Sequence, residues 1–452
     1  MNIIIVGCGK VGTTLAQQLT KEGNSVTIVD VNASNLNAVA NQNDVMGVVG
    51  NGATFDVQMR AGIERADLLI AVTNSDELNL LCCMVAKKTG NCQTIARVRD
   101  PEYSNDANFL KNELGLAMVI NPELAAAAEI DRLLRFPAAV KIDTFAKGRV
   151  ELIKFKVPEN SPLIGLSVKE IALVLKCDVL ICTAERHKDV YITKGDFTFE
   201  KNDFVSLIAT PQKAADFFEK IKHKRHSVKN VMIAGGGKIT QYLYEMLENR
   251  GGVSVKVIEE DRKLCDYLCT QFPNLTVING DPVERDLLLE EGIAQAGSFI
   301  SITDQDEENI LLSLFAKNES KAKLITKISR TDFDEVIKPL DLDSVIVPKN
   351  ITADMILQYV RSKTSSIGSN VETLYNLING EVEAAEFAIK ENSEITNKPL
   401  FKLQIKDNVL IASILRGNDI IIPRGSDVIL PGDNVIIVSK NLALHNITDI
   451  LK

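Results

Sequence analysis

The sequence predicts an α/β protein built from two tandem Rossmann-like domains, each followed by a small α+β domain. Three observations carry this. A strand, a glycine turn and a helix open the chain in MNIIIVGCGKVG, an acidic residue ends a second strand at Asp30, and the pattern begins again at Asn230 in NVMIAGGGK. A chain of 452 residues is too long for one hydrophobic core, so several domains are expected from length alone.

Asn2 to Val6 is a β-branched apolar run, and Gly7, Cys8, Gly9, Lys10, Val11 and Gly12 follow at once. Leu15, Ala16 and Leu19 then recur at helical spacing. In a dinucleotide fingerprint the first glycine permits the tight turn, the second lets backbone approach a pyrophosphate, and the third lets helix pack closely on strand. The open N–H groups and positive dipole end of the helix face the phosphates. Ser25 to Val29 reads as the second strand, and Asp30 at its end is placed to accept from both ribose hydroxyls of an adenosine. The same carboxylate repels a 2′-phosphate, which favours NAD(H) over NADP and leaves ATP or ADP open.

Further along, Met46 to Val49 is a third strand, Ala53 to Ala61 a helix stopped by Gly62, and Asp67 to Val72 an apolar fourth strand. Thr73-Asn74-Ser75-Asp76-Glu77 supplies a loop and a helix N-cap. With strands ordered 3-2-1-4-5-6, strand 4 lies across the crevice from strand 1, so Thr73 and Asn74 face the same ligand as the glycine turn. A helix from Leu78 to Lys88 precedes strand 5, Thr94 to Val98, where Arg97 is placed either to pair with a phosphate or to lie at the surface. Met118 to Ile120 is a sixth strand, and Pro122 starts a helix that reaches Arg135. From Val140, short alternating runs broken by Pro158, Pro162, Gly165 and Gly195 indicate a small sheet with one or two helices. It ends in a helix near Ala214 to Ile221 and a solvated linker, Lys222-His223-Lys224-Arg225-His226.

The second copy tracks the first. Gly235, Gly236, Gly237, Lys238 and Ile239 repeat the turn, Glu259 stands for Asp30, Thr303 to Asn309 for Thr73 to Asn79, and Lys327 for Arg97. Thr240 replaces the third glycine, so this helix cannot approach its strand as closely, and the second site is expected to be weaker or altered. GGGKIT is not a P-loop, because Ile239 separates Lys238 from Thr240. The domains are therefore placed at 1–136, 140–225, 228–361 and 370–452, with Ser362 to Asn370 as a Ser/Thr-rich linker.

A net charge of −9 without a long basic run argues against nucleic-acid binding. No apolar stretch approaches the roughly twenty residues of a bilayer span, and the chain enters a strand with no charged leader, so a cytoplasmic protein is expected. Eight cysteines without framework spacing fit thiols in a reducing compartment, and the four histidines show no ligand spacing. Cys265 and Cys269, four apart, have no neighbouring His to complete a metal site.

NIIIVGCGKVG with Asp30, then VTNSDELN and TIARVR, a β-rich module and a second full copy, together resemble the RCK or KTN domain family, the peripheral nucleotide-binding subunits of bacterial Trk potassium uptake. The resemblance covers the whole chain. It implies that NAD(H), or ATP or ADP, contacts Gly7 to Gly12, Asp30, Thr73, Asn74 and Arg97, with Gly235 to Ile239 and Glu259 as the second set. It also implies a ring, expected to be a homotetramer, docked on the inner face of a TrkH/TrkG-like potassium-translocating subunit that it opens or closes without catalysis. The competing reading is an NAD-dependent oxidoreductase, which needs a proton donor beside the nicotinamide. The chain offers about eighty residues of β-rich module in place of a catalytic domain, and His187 falls in an expected hairpin turn.

Overall fold

The computed structural model describes residues 1–104, 106–187, 189–222, 228–330, 334–364, 371–378, 381–441, 444 and 446–452. The linker residues 223–227 and 365–370 lie outside them.

The first half opens with six strands, β1 (Asn2–Val6), β2 (Ser25–Asp30), β3 (Met46–Val49), β4 (Leu68–Ala71), β5 (Gln93–Arg97) and β6 (Met118–Ile120). They form one parallel sheet in the order β3-β2-β1-β4-β5-β6. β4 is buried along its length and β1 at all but its first residue, as parallel strands covered by helices on both faces must be. One core cluster joins Val6, Val29, Leu69 and Ala96 of the sheet to Cys82, Cys83 and Ala86 of the helix Asp76–Thr89. The five strands β7 (Ala139–Phe145), β8 (Val150–Lys156), β9 (Leu180–Arg186), β10 (Asp189–Ile192) and β11 (Phe204–Ala209) then make an antiparallel sheet in the order β10-β9-β11-β8-β7. His187 turns the β9–β10 hairpin with φ 58°.

The second half repeats this. β12 (Asn230–Ala234), β13 (Ser254–Glu259), β14 (Thr276–Asn279), β15 (Ser298–Ser301), β16 (Lys323–Lys327) and β17 (Ser344–Ile346) form the second parallel sheet, ordered β14-β13-β12-β15-β16-β17. β18 (Val371–Leu377), β19 (Val382–Ala388), β20 (Val409–Arg416), β21 (Asp419–Ile421) and β22 (Asn434–Lys440) form the second antiparallel sheet, whose order β18-β19-β22-β20-β21 is that of the first read from the other end.

The compact units pair like with like. Met1–Asp131 and Lys229–Leu357, the two Rossmann halves, form one, while Arg132–Val228 and Gln358–Lys452, the two small modules, form the other. In the second unit a single core cluster takes Phe145, Leu152 and Cys182 from one module with Val382, Ala412 and Ile436 from the other. Phe145 packs edge-on to Tyr375 at 5.0 Å, and the Tyr375 hydroxyl donates to the Thr144 carbonyl at 2.7 Å.

The division between the compact units falls between Asp131 and Arg132, inside the continuous helix Pro122–Arg135. One detail departs from the sequence reading. The helix expected from Ala53 begins at Phe55, because the Asn51 side chain accepts from Ala53 N and the Asn51 carbonyl from Thr54 N, spending those residues on a turn.

Candidate functional site

In each Rossmann half the glycine turn joins the first strand to a helix whose N-terminus has no side-chain cap, Gly9 before Lys10–Lys21 and Gly237 before Lys238–Arg250. Gly7 has φ +109°, and a Cβ there would meet Thr73 N at 3.0 Å, so the turn takes no other residue without strain. A Cβ on Gly12 would lie 1.9 Å from the Gly7 carbonyl oxygen. In the second copy the corresponding Thr240 is fully buried and its hydroxyl donates to the Gly235 carbonyl at 2.6 Å. The hydroxyl thus occupies, as a hydrogen bond, the space beside the turn that Gly12 leaves open in the first copy.

Asp30 and Glu259 occupy matching places. Asp30 accepts from Cys8 N at 2.6 Å and Asn32 N at 2.8 Å; Glu259 accepts from Gly236 N at 2.6 Å and Asp261 N at 2.9 Å. Each carboxylate thus holds the second residue of its glycine turn, and each oxygen keeps a lone pair for a further donor. The extra methylene of Glu259 leaves this pattern unchanged. Thr73 is occupied within its own loop, its hydroxyl donating to Asn79 Oδ1 at 2.7 Å, while Asn79 Nδ2 reaches the Arg97 carbonyl at 2.9 Å and so ties the loop to β5. Thr303 and Asn309 do the same to Lys327.

The carboxyl ends of the two parallel sheets open into one cavity of about 670 Å³, inside the range of roughly 300–1,000 Å³ usual for small-molecule sites. Of the candidate residues, Gly9, Lys10, Val11, Asn74, Arg97, Gly237, Lys238 and Ile239 line it. Gly7, Cys8, Gly12, Asp30, Thr73, Gly235, Gly236 and Glu259 are not among its lining residues, and Asp30 and Glu259 hold the glycine turns that are. The lining comes in pairs from the two copies: Lys10 with Lys238, Asn74 with Asp304, Arg97 with Lys327, Arg99 with Ser329, and Glu123 with Lys349. Six cations and two carboxylates line it, with Arg99, Lys238 and Lys327 each in an ion pair, so the wall carries an excess of positive charge.

Among Arg97, Arg99, Lys238 and Lys327, the most enclosed are Arg97 and Lys327, and Arg97 carries an unmet donor. The Arg97 guanidinium lies 3.6 Å from Glu123, its Nε is buried without a hydrogen-bond partner among the described residues, and burial pulls its pKa below the ordinary value while Glu123 opposes the shift. Such a donor has most to gain from a phosphate oxygen. Sequence reasoning missed Arg99 and Glu123. Arg99 carries a readable signal, since residues two apart in an extended segment share a side and TIARVR places both arginines on it. Glu123 is the second residue of the helix that Pro122 opens at the same end of the sheet.

Cys265 is buried and donates towards the Glu259 carbonyl, whereas Cys269 is exposed. Among the described residues no helix is long and apolar enough to cross a membrane.

Comparison with known proteins agrees with this architecture. The TrkA-N domain model matches residues 3–122 and 231–348, and the TrkA-C domain model residues 152–222 and 384–452. Trk system potassium uptake protein TrkA homolog 1 of Methanosarcina mazei is 30% identical over 463 residues, with 100% of both chains covered. Trk system potassium uptake protein TrkA of Haemophilus influenzae is 31% identical, over 97% of this chain and 95% of its own length. Among solved structures, the GsuK RCK domain superposes with a TM-score of 0.64 at 17% identity, over 97% of this chain and 92% of its own. The GsuK channel bound to NAD does so with a TM-score of 0.64 at 16% identity, over 97% of this chain and 77% of its own, which establishes the common fold. With both repeats matched in full order and relatives aligned from end to end, the chain belongs to the TrkA family of Trk-system potassium uptake proteins.

Proposed function

We propose that this chain is a cytoplasmic regulatory subunit of a potassium uptake system, which binds NAD(H) or an adenine nucleotide and thereby gates a potassium-translocating membrane subunit. The observation that carries this reading is the shared cavity: its cationic walls come from both Rossmann halves, so an anionic nucleotide bound there contacts both and senses how they are set. A ligand shifts a gate only through its different affinity for the two states, and a site built across two bodies supplies that difference. In this reading the glycine turns receive phosphates, Asp30 and Glu259 receive ribose hydroxyls, Arg97 and Lys327 close on the phosphates, and Asn74 lies across the crevice. The four domains are those at 1–136, 140–225, 228–361 and 370–452, and the chains assemble as a homotetrameric ring on a TrkH/TrkG-like partner. The family names of the relatives support the potassium-transport context, and the relative bound to NAD supports the nucleotide.

The subunit is not an enzyme in this reading, and the nucleotide is exchanged rather than consumed. The test is potassium flux in liposomes holding the membrane subunit, with this chain and NADH, NAD, ATP or ADP added in turn. A nucleotide-dependent change in flux is expected, a coupling of typically 1–3 kcal/mol. Flux indifferent to both chain and nucleotide overturns the reading, and substrate-dependent NADH formation by the purified chain replaces it with a dehydrogenase.

A further inference from the structure

The two glycine turns carry a lysine at the same place, yet the two lysines are treated differently. Lys10 lines the cavity with no carboxylate partner among the described residues. Lys238 lines it too, but its Nζ donates to Asp100 Oδ2 at 2.7 Å, and Asp100 belongs to the other copy, just beyond β5. The counterpart of Asp100 is Arg330, a cation paired with Asp306 and Glu307, which cannot hold Lys10 in return.

The helix that begins at Lys238 is fastened to the first copy along its length. One turn on, the buried Tyr242 hydroxyl donates to the Arg99 carbonyl at 2.9 Å and accepts from Asn121 Nδ2 at 2.8 Å. At its end Arg250 pairs with Asp131 at 2.8 Å. These anchors keep Lys238 in reach of Asp100. The first-copy helix has Thr14 where this one has Tyr242, and its hydroxyl turns back to the Lys10 carbonyl.

We propose that Asp100 is an intrachain competitor at the second nucleotide site: it holds the Lys238 ammonium, and a ligand phosphate at the second glycine turn binds only by taking that ammonium away. The first copy thus sets the affinity of the second. This rests on the reading that the second turn receives a nucleotide phosphate. Lys238 and Asp100 are each more than a third exposed, so the competition is modest, as fits a contact that a ligand must break.

The experiment uses the full chain with Asp30→Ala, which disables the first site, and ADP as the calorimetric probe. Adding Asp100→Asn preserves the side chain's shape and the oxygen that accepts from Glu102 N, and removes the charge. It should raise ADP affinity roughly three- to fivefold. The gain should shrink as salt is raised and vanish in a Lys238→Met background, the double-mutant test that separates this pair from a general change of charge. Equal ADP affinity with and without Asp100→Asn overturns the competition alone. The same gain in the Lys238→Met background also overturns it. If the Asp30→Ala chain binds no ADP with either residue at position 100, the nucleotide reading of the second turn fails first, and the competition with it.

Discussion

Gly12→Thr would copy into the first Rossmann half the residue that the second half carries naturally. A Cβ at Gly12 would meet the Gly7 oxygen at 1.9 Å, and real Cβ atoms stay beyond 3.0 Å, so the helix Lys10–Lys21 must retreat by about 1.1 Å or the turn must open. The retreat moves the N-terminal N–H groups off the phosphate by the same amount. A charge-assisted hydrogen bond is worth about 1.5–3 kcal/mol, so weakening one by this shift lowers affinity on the order of tenfold to a hundredfold. Crowding the strand–helix contact costs a further 1–3 kcal/mol or so of stability. NADH fluorescence titration of a chain whose second site is disabled by Glu259→Ala reads the first number, and a thermal melt the second. Wild-type affinity in that chain would refute the argument that the third glycine exists for close approach.

Asp30→Ala should weaken nucleotide binding at least tenfold by calorimetry, because it removes the ribose acceptor and also frees Cys8 N and Asn32 N from their 2.6 and 2.8 Å bonds. Tyr242→Phe removes the hydroxyl between the Arg99 carbonyl and the Asn121 amide in a buried place, and should lower stability by about 1–3 kcal/mol in denaturant titration. Glu151→Gln tests a pH dependence. Burial raises the Glu151 pKa, opposed by Arg135 and Arg132, so the unfolded chain ionises first as pH rises and the native state loses stability from there up to the folded pKa. The Gln variant should therefore melt higher than wild type at pH 7, and the difference should nearly close by about pH 4, where both states are largely protonated.

The sheet order and the positions of the glycine turns were legible because each rests on neighbours in sequence: a strand, a turn and a helix within twenty residues, with Asp30 closing the unit. The repeat was legible from paired positions such as Arg97 and Lys327. What joins the halves was not. Tyr242 reads as a core aromatic on an amphipathic helix, and nothing local says that its hydroxyl ends between Arg99 and Asn121 of the other copy, more than a hundred residues away. Asp100 reads as a loop residue before Pro101 for the same reason. The Thr73 hydroxyl is taken by Asn79, a loop-internal bond that spacing alone does not reveal.

The pairing of like with like has an evolutionary reading. Two separate chains with one Rossmann half and one small module each would pair through a twofold axis, and every contact i to j would come with j to i. Joining the copies in one chain lifts that obligation, so a substitution is felt on one side of the axis only. Tyr242 faces Asn121 on one side, while the matching positions are Thr14 and Val347; Asp100 holds Lys238 on one side, while Arg330 stands opposite. Fusion is what allows two turns of common descent to differ in their neighbours, Lys238 held by Asp100 and Lys10 not.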